Sequence, residues 1–291
     1  MSKKQETLAR NRPLNTRAHE LLRAPQNVDL GTIDPATTPG YEGDKESAKI
    51  DLQAIGQVLD ELQERLFAAS RSGATPRILL VLQAMDTAGK GGIVRHVVGL
   101  VDPQGVQHHA FKAPTDEEKA HDFLWRIEKE LPGAGFIGVF DRSHYEDVLI
   151  HKVRGFADEQ EIQRRYQAIN EFEARLIAED TTIIKVMLHI SKDEQRERLA
   201  ERLERPDKYW KFNPGDIDER ELWGDYMSAY EYAIDETNTE AAGWHIIPAN
   251  KKWYARLAVA TLLLEALEKI DPQWPAAEYD VEEQKQRLQN S

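Results

Sequence analysis

Ile78-Leu79-Leu80-Val81-Leu82 is an unbroken aliphatic run with no polar alternation. A strand of that kind is covered on both faces, as in a parallel sheet between layers of helices. It leads into Ala84-Met85-Asp86-Thr87-Ala88-Gly89-Lys90-Gly91-Gly92 and then into a helical pattern. Strand, tight glycine-containing loop with lysine, then helix is an arrangement that holds phosphate. Backbone N–H groups of Ala88, Gly89, Lys90, Gly91 and Gly92 face the anion, and Lys90 adds a full charge. The loop is not an ordinary Walker A. Ala84 stands where the first glycine would be, and Gly91 stands where Ser or Thr would follow the lysine. Without that hydroxyl a metal ion needs another ligand. Asp86 lies inside the loop and would repel phosphate unless a cation sat between them, so Asp86 argues for a divalent metal.

The pattern on either side repeats strand and helix. Ile55, Val58, Leu59, Leu62 and Leu66 give one apolar helical face from Ile50 onward. After the glycine loop the sequence predicts a helix to about Leu100, a strand over 106–111 and a helix over 116–130. Further on it predicts a strand over 136–140, a helix over 158–178, strands over 183–188 and 244–247, and a helix over 252–270. This alternation specifies an α/β fold around a parallel sheet. Residues 1–49 contain Pro13, Pro25, Pro35 and Pro39 and no sustained period, and read as an extended N-terminal arm. Within Met1–Arg23, six Lys/Arg stand against two Glu, which suits either a solvated tail or a contact with substrate or subunit. Residues 50–271 form the phosphotransferase domain, and 272–291 an acidic, loosely attached C-terminal tail.

Composition removes several function classes. The net charge of −13 argues against broad nucleic-acid binding, which needs a basic surface. The absence of cysteine excludes disulfides, thiolate metal sites and cysteine nucleophiles. No apolar run approaches the ~20 residues of a membrane span, and no apolar signal core opens the chain, so a cytoplasmic enzyme without membrane contact is expected. A polyanionic substrate then requires concentrated local positive charge.

Two further segments meet that demand. Phe140-Asp141-Arg142-Ser143-His144-Tyr145 ends a strand, where a Walker B carboxylate sits in the crevice that binds ligands. Asp141 can share a metal with Asp86, and the planar guanidinium of Arg142 can reach phosphoryl oxygens. His144 reads first as packing; Glu146 and Asp147 either belong to the N-terminal turn of a helix, the preferred reading, or orient Arg142. Arg202, Arg205, Lys208 and Lys211 cluster around Pro206, Tyr209 and Trp210 in a segment that suits either a mobile lid over about 200–223 or a solvated helix end with its stems packed on Trp210. Lys112, in Phe111-Lys112-Ala113-Pro114-Thr115, is one more cation on the same sheet edge.

Taken together, Gln83 to Gly92, Phe111 to Thr115, Asp141 to Leu149 and Arg202 to Lys211 resemble the polyphosphate kinase 2 family in order and spacing, over about Ile50 to Ile270. The loop with Met85 and the Ser-His-Tyr-Glu-Asp stretch are most similar to the branch that phosphorylates both nucleoside mono- and diphosphates. The resemblance implies a three-layer P-loop kinase-like fold with a helical lid, Mg²⁺ or Mn²⁺ as cofactor, and a homodimer or homotetramer. It implies inorganic polyphosphate with adenine nucleotides as substrates, guanine nucleotides being a further option. By position, Asp86 and Asp141 would hold metal, Lys90 and Arg142 would contact the transferred phosphoryl group, Lys112 would touch the phosphate chain, and Arg202, Lys208 and Lys211 would be lid cations. The residues alone also admit an ATP-dependent P-loop kinase or a noncatalytic nucleotide-binding regulator. The two acidic metal candidates favour an enzyme.

Overall fold

In the computed structural model, which describes residues 13–291, the chain first runs along the edge of the sheet. A short helix α1 (Ala18–Leu21) leads to an antiparallel bridge between Arg23 and His245. Leu14, Ala18, Leu22, Ala24, Val28, Leu30 and Tyr41 of this segment are buried, so its proline-broken sequence covers an edge that would otherwise expose unpaired backbone. The remainder of the expected arm, including Lys3, Lys4, Arg10 and Arg12, lies outside the described residues.

Helix α2 (Lys45–Arg71) starts earlier than its apolar stripe suggests, because the Asp44 carboxylate caps it by accepting from Ser47 N at 2.8 Å. Strand β1 (Arg77–Gln83) follows, then the glycine loop and α3 (Lys90–His96). Strand β2 (Val106–Ala110) leads to α4 (Asp116–Lys119) and α5 (Trp125–Glu128). The single helix expected over 116–130 is therefore two separate turns. The Asp122 side chain accepts from Leu124 N at 3.0 Å and starts the second turn, as a short acidic side chain does when it competes with the helix ladder.

Strand β3 (Ile137–Asp141), α6 (Ile150–Val153), α7 (Glu159–Ala178) and β4 (Thr181–His189) come next. Then come α8 (Lys192–Glu204), a 3-10 turn over Pro206–Lys211 and α9 (Gly215–Glu221), and the segment expected as a lid, about 200–223, begins within α8. Helix α10 (Trp223–Thr237), β5 (Trp244–Pro248) and α11 (Lys252–Ile270) complete the core, and α12 (Val281–Gln289) follows with every residue at least partly exposed. Among the described residues no helix is long and apolar enough to cross a membrane.

The five strands are parallel in the order β2-β3-β1-β4-β5. The aliphatic run explains the layering. Ile78, Leu80 and Leu82 join one core with α2 and α11, while Leu79 and Val81 join the other with α7 and α10. Both faces of β1 are thus dry. Its carboxyl end, beside that of β3, opens at the crevice where such sheets bind ligands.

Candidate active site

The register that pairs Leu82 with Asp141 sets the phosphate loop beside the end of β3. Here the backbone leaves its ordinary wells. Thr87 has φ 67, Gly89 φ 122 and Arg142 φ 64. Gly89 needs its missing Cβ, because φ there is closed to other residues. Thr87 and Arg142 occupy the left-handed region without that freedom, which occurs where surrounding structure over-determines a functional site.

The turn at Arg142 sends its guanidinium to the loop, where Nη2 donates to Asp86 Oδ1 at 2.9 Å. Burial opposes the charge on Arg142, but the nearby carboxylates of Glu146, Asp86 and Asp141 outweigh it and hold the group firmly protonated. Glu146 lies in a 3-10 turn, His144–Asp147, where the first turn of a helix was expected, and its carboxylate faces Arg142. Burial raises its carboxyl, against the opposing pull of Arg142 and Lys90. Lys90 is buried in the loop, with Nζ donating to Ala84 O at 3.1 Å.

A cavity of about 500 Å³ opens over these groups. Asp86, Ala88, Gly89, Lys90, Gly91, Gly92, Lys112, Asp141, Arg142, Arg202, Lys208 and Lys211 all line it, so the separate sequence candidates converge on one space. Lys112 is placed by its backbone: Arg126 Nη1 donates to Lys112 O at 2.8 Å, and Arg126 is itself anchored on Asp147 at 3.0 Å. The lining carries ten Lys/Arg against three carboxylates, the local positive charge that a chain of net charge −13 needs to hold a polyanion.

Sequence reasoning missed part of this wall. Arg95, Arg198, Lys252 and Arg256 also line the cavity. Asp216 is buried on the lid, where its Oδ2 receives Arg202 Nη1 at 3.3 Å. Burial, then the charge of Asp86, pushes its carboxyl up to about 6. Gln195 and Arg198 sit with Leu199 on the buried face of α8, and the sequence does not show what they meet there. His144, expected as packing, is buried against Glu173.

The sequence model of the Polyphosphate kinase 2 (PPK2) family matches residues 42–275. The chain belongs to the polyphosphate kinase 2 family. It is 47% identical over 250 residues to an AMP/ADP-polyphosphate phosphotransferase of Meiothermus ruber, covering 86% of this chain and 92% of that protein. It is 41% identical to an ADP-polyphosphate phosphotransferase of Rhodopseudomonas palustris, covering 86% of this chain and 89% of that protein. The crystal structure of polyphosphate kinase 2 from Arthrobacter aurescens TC1 superimposes with a TM-score of 0.93 at 57% identity, covering 96% of this chain and 98% of that one.

Phosphotransferases of the polyphosphate kinase 2 family are generally dependent on a divalent metal, and the donor set here fits one. Two carboxylates, Asp86 and Asp141, stand at the loop and the end of β3 in a lining where Lys and Arg outnumber acids. Among the described residues no three His, Asp or Glu side chains group into a cage of their own. Such a set suits a hard divalent cation that takes its other oxygens from water and substrate phosphate.

Proposed function

We propose that this chain transfers the terminal phosphoryl group of inorganic polyphosphate to AMP and ADP, reversibly and without a covalent enzyme intermediate. The observation that carries the reading is the convergence of Lys90, Arg142 and two carboxylates under a lysine- and arginine-lined cavity in a polyphosphate kinase 2 fold.

A terminal phosphate oxygen of the nucleotide attacks the end phosphorus of the chain. The new P–O bond forms as the anhydride bond behind it breaks, and the chain leaves one phosphate shorter. Lys90 and Arg142 neutralise charge on the transferred group, and they strengthen as water is excluded. Lys112, Arg202, Lys208 and Lys211 hold the remaining phosphates, with the lid closing over them. The loop from Ala88 to Gly92 sets the position of the reacting group. Asp86 and Asp141 would hold Mg²⁺, or Mn²⁺ in its place, which when bound supplies further positive charge to the phosphates. Asp86 also fixes Arg142 through their hydrogen bond. An aqueous cytoplasmic setting and a homodimer or homotetramer belong to the same proposal, with adenine nucleotides, and guanine nucleotides as a further option, as acceptors.

The test is phosphoryl transfer from long-chain polyphosphate to AMP or ADP with no ATP supplied. Transfer from ATP alone to some other acceptor would overturn the choice of donor.

A further inference from the structure

The guanidinium of Arg198 is buried, at 5% exposure, in the wall between the lid helix and the phosphate loop. An arginine side chain has five N–H donors and no acceptor. Nε donates to Glu194 Oε1 at 2.6 Å. Nη1 donates to Thr87 O at 3.0 Å and to Ala88 O at 2.8 Å. Nη2 donates to Ala249 O at 2.6 Å and to Asn250 O at 3.0 Å. Every donor is engaged, four of them by backbone carbonyls.

From the same face of α8, Gln195 Nε2 donates to Asp86 O at 3.1 Å. The carbonyls of Asp86, Thr87 and Ala88, three consecutive residues of the loop, are therefore all taken by two side chains of one helix. These are the residues around the left-handed Thr87, whose β-branched side chain disfavours that conformation.

We infer that Arg198 is a positioning residue that locks the phosphate loop in its working shape and ties it to the root of the lid. It has no N–H left for substrate, so its cavity-facing location does not make it a phosphate ligand. Its hydrogen bonds join three segments: the loop, the helix that carries Arg202 one turn further on, and the Ala249-Asn250 link between β5 and α11. A shift of α8 moves the carbonyls that shape the loop, so lid position and loop geometry change together. Lysine cannot replace it, since an ammonium has three donors converging on one nitrogen and cannot span two pairs of carbonyls. The role rests on the phosphoryl-transfer reading only for its effect on rate; the clamp itself does not.

The full chain and its Arg198→Lys variant test this with two readouts. The first is kcat and KM with long-chain polyphosphate, ADP and Mg²⁺. The second is amide hydrogen exchange of peptides covering residues 84–92, without substrate. The expected result is a kcat loss of about a hundredfold, the scale of an ångström-level misplacement, with KM for polyphosphate within about threefold of wild type. Loop exchange should accelerate by about tenfold or more. An unchanged loop exchange overturns the clamp, whatever happens to the rate. Unchanged kcat, or a loss confined to KM, overturns the positioning role. Should the lysine variant not fold, Arg198→Ala in millimolar guanidinium chloride replaces it, and restored loop protection with restored turnover is expected; failure of both counts against the inference. An inactive wild type would sink the functional reading alone, leaving the exchange comparison to decide the clamp.

Discussion

Arg142 Nη2 donates to Asp86 Oδ1 across 2.9 Å, joining the turn that ends one central strand to the loop that ends its neighbour. The cation proposed to contact phosphate and the carboxylate proposed to hold metal thus fix each other's orientation. Loss of either member should therefore disturb both. Asp86→Asn, Asp141→Asn, Lys90→Ala and Arg142→Ala are each expected to lower kcat by about 10²- to 10³-fold, the usual scale for removing one preorganised charge-stabilising group. Far-UV circular dichroism should match wild type. Near-normal turnover in any one of them would remove that residue from its assigned role.

The proposed lid cations should behave differently, each being one of several charges on the same wall. Lys208 and Lys211 are solvent-accessible and line the cavity beside Arg202. Exposed charges contribute up to ~1 kcal/mol each, so Lys208→Ala and Lys211→Ala should each raise KM for polyphosphate by up to about fivefold with kcat nearly kept. The effect should shrink as salt is raised, since these charges are screened. Initial-rate measurements at two ionic strengths separate this outcome from a kcat effect.

The central βα unit was legible because its chemistry is local. Ile78 to Leu82 suits a strand with two dry faces, and the glycine loop follows it directly. Lys112, Arg202, Lys208 and Lys211 were legible as a local concentration of positive charge in an acidic chain. Arg198 and Asp216 were not, because their meaning depends on what lies across the fold: loop carbonyls for one, Arg202 and the field of Asp86 for the other. The edge-covering path of residues 13–44 was hidden for the same reason. Its apolar residues follow no helical or strand period, since each is placed by the surface beneath it. The break at Asp122 was available in principle, as an acid that caps the next turn, but periodicity alone ran through it.

Behind the site, Lys185 Nζ lies 2.6 Å from Glu173 Oε2, and both side chains are fully buried. Tyr145 OH donates to Glu173 Oε1 at 2.8 Å, so the pair supports the segment just after Arg142. Removing one partner leaves a buried charge uncompensated, at a cost of about 3–5 kcal/mol. Lys185→Met should lose stability on that scale in urea unfolding, and Lys185→Met with Glu173→Gln should recover more than half of the loss. A single variant as stable as wild type would contradict the pairing.

Stability should fall on the acid side through His245. Burial, first of all, lowers its pKa to about 4 from an unfolded value near 6.5. The folded state therefore excludes a proton that the unfolded chain takes up. The contribution is fully present above pH 6.5 and is lost as pH falls toward 4, by at most about 3 kcal/mol. Asp216 acts with the opposite sign. Its folded carboxyl, raised to about 6 by burial and by Asp86, keeps a proton that the unfolded chain has released, so its contribution declines as pH rises from about 4 to 6. Asp216→Asn should then raise Tm relative to wild type at pH 7 but not at pH 4. Melting curves across pH 4–8 read both effects, and a wild-type Tm flat from pH 6.5 down to 4, with the Asn variant unchanged at pH 7, would contradict both.

The most direct test mixes the pure protein with Mg²⁺, long-chain polyphosphate, and either AMP or ADP, omits ATP, and separates the nucleotides by chromatography. The account predicts ADP from AMP and ATP from ADP, with the Lys90→Ala protein giving at most about a hundredth of either rate. No product from polyphosphate, with transfer from ATP to another acceptor, would leave the fold and the phosphate loop in place and contradict the assignment of polyphosphate as donor.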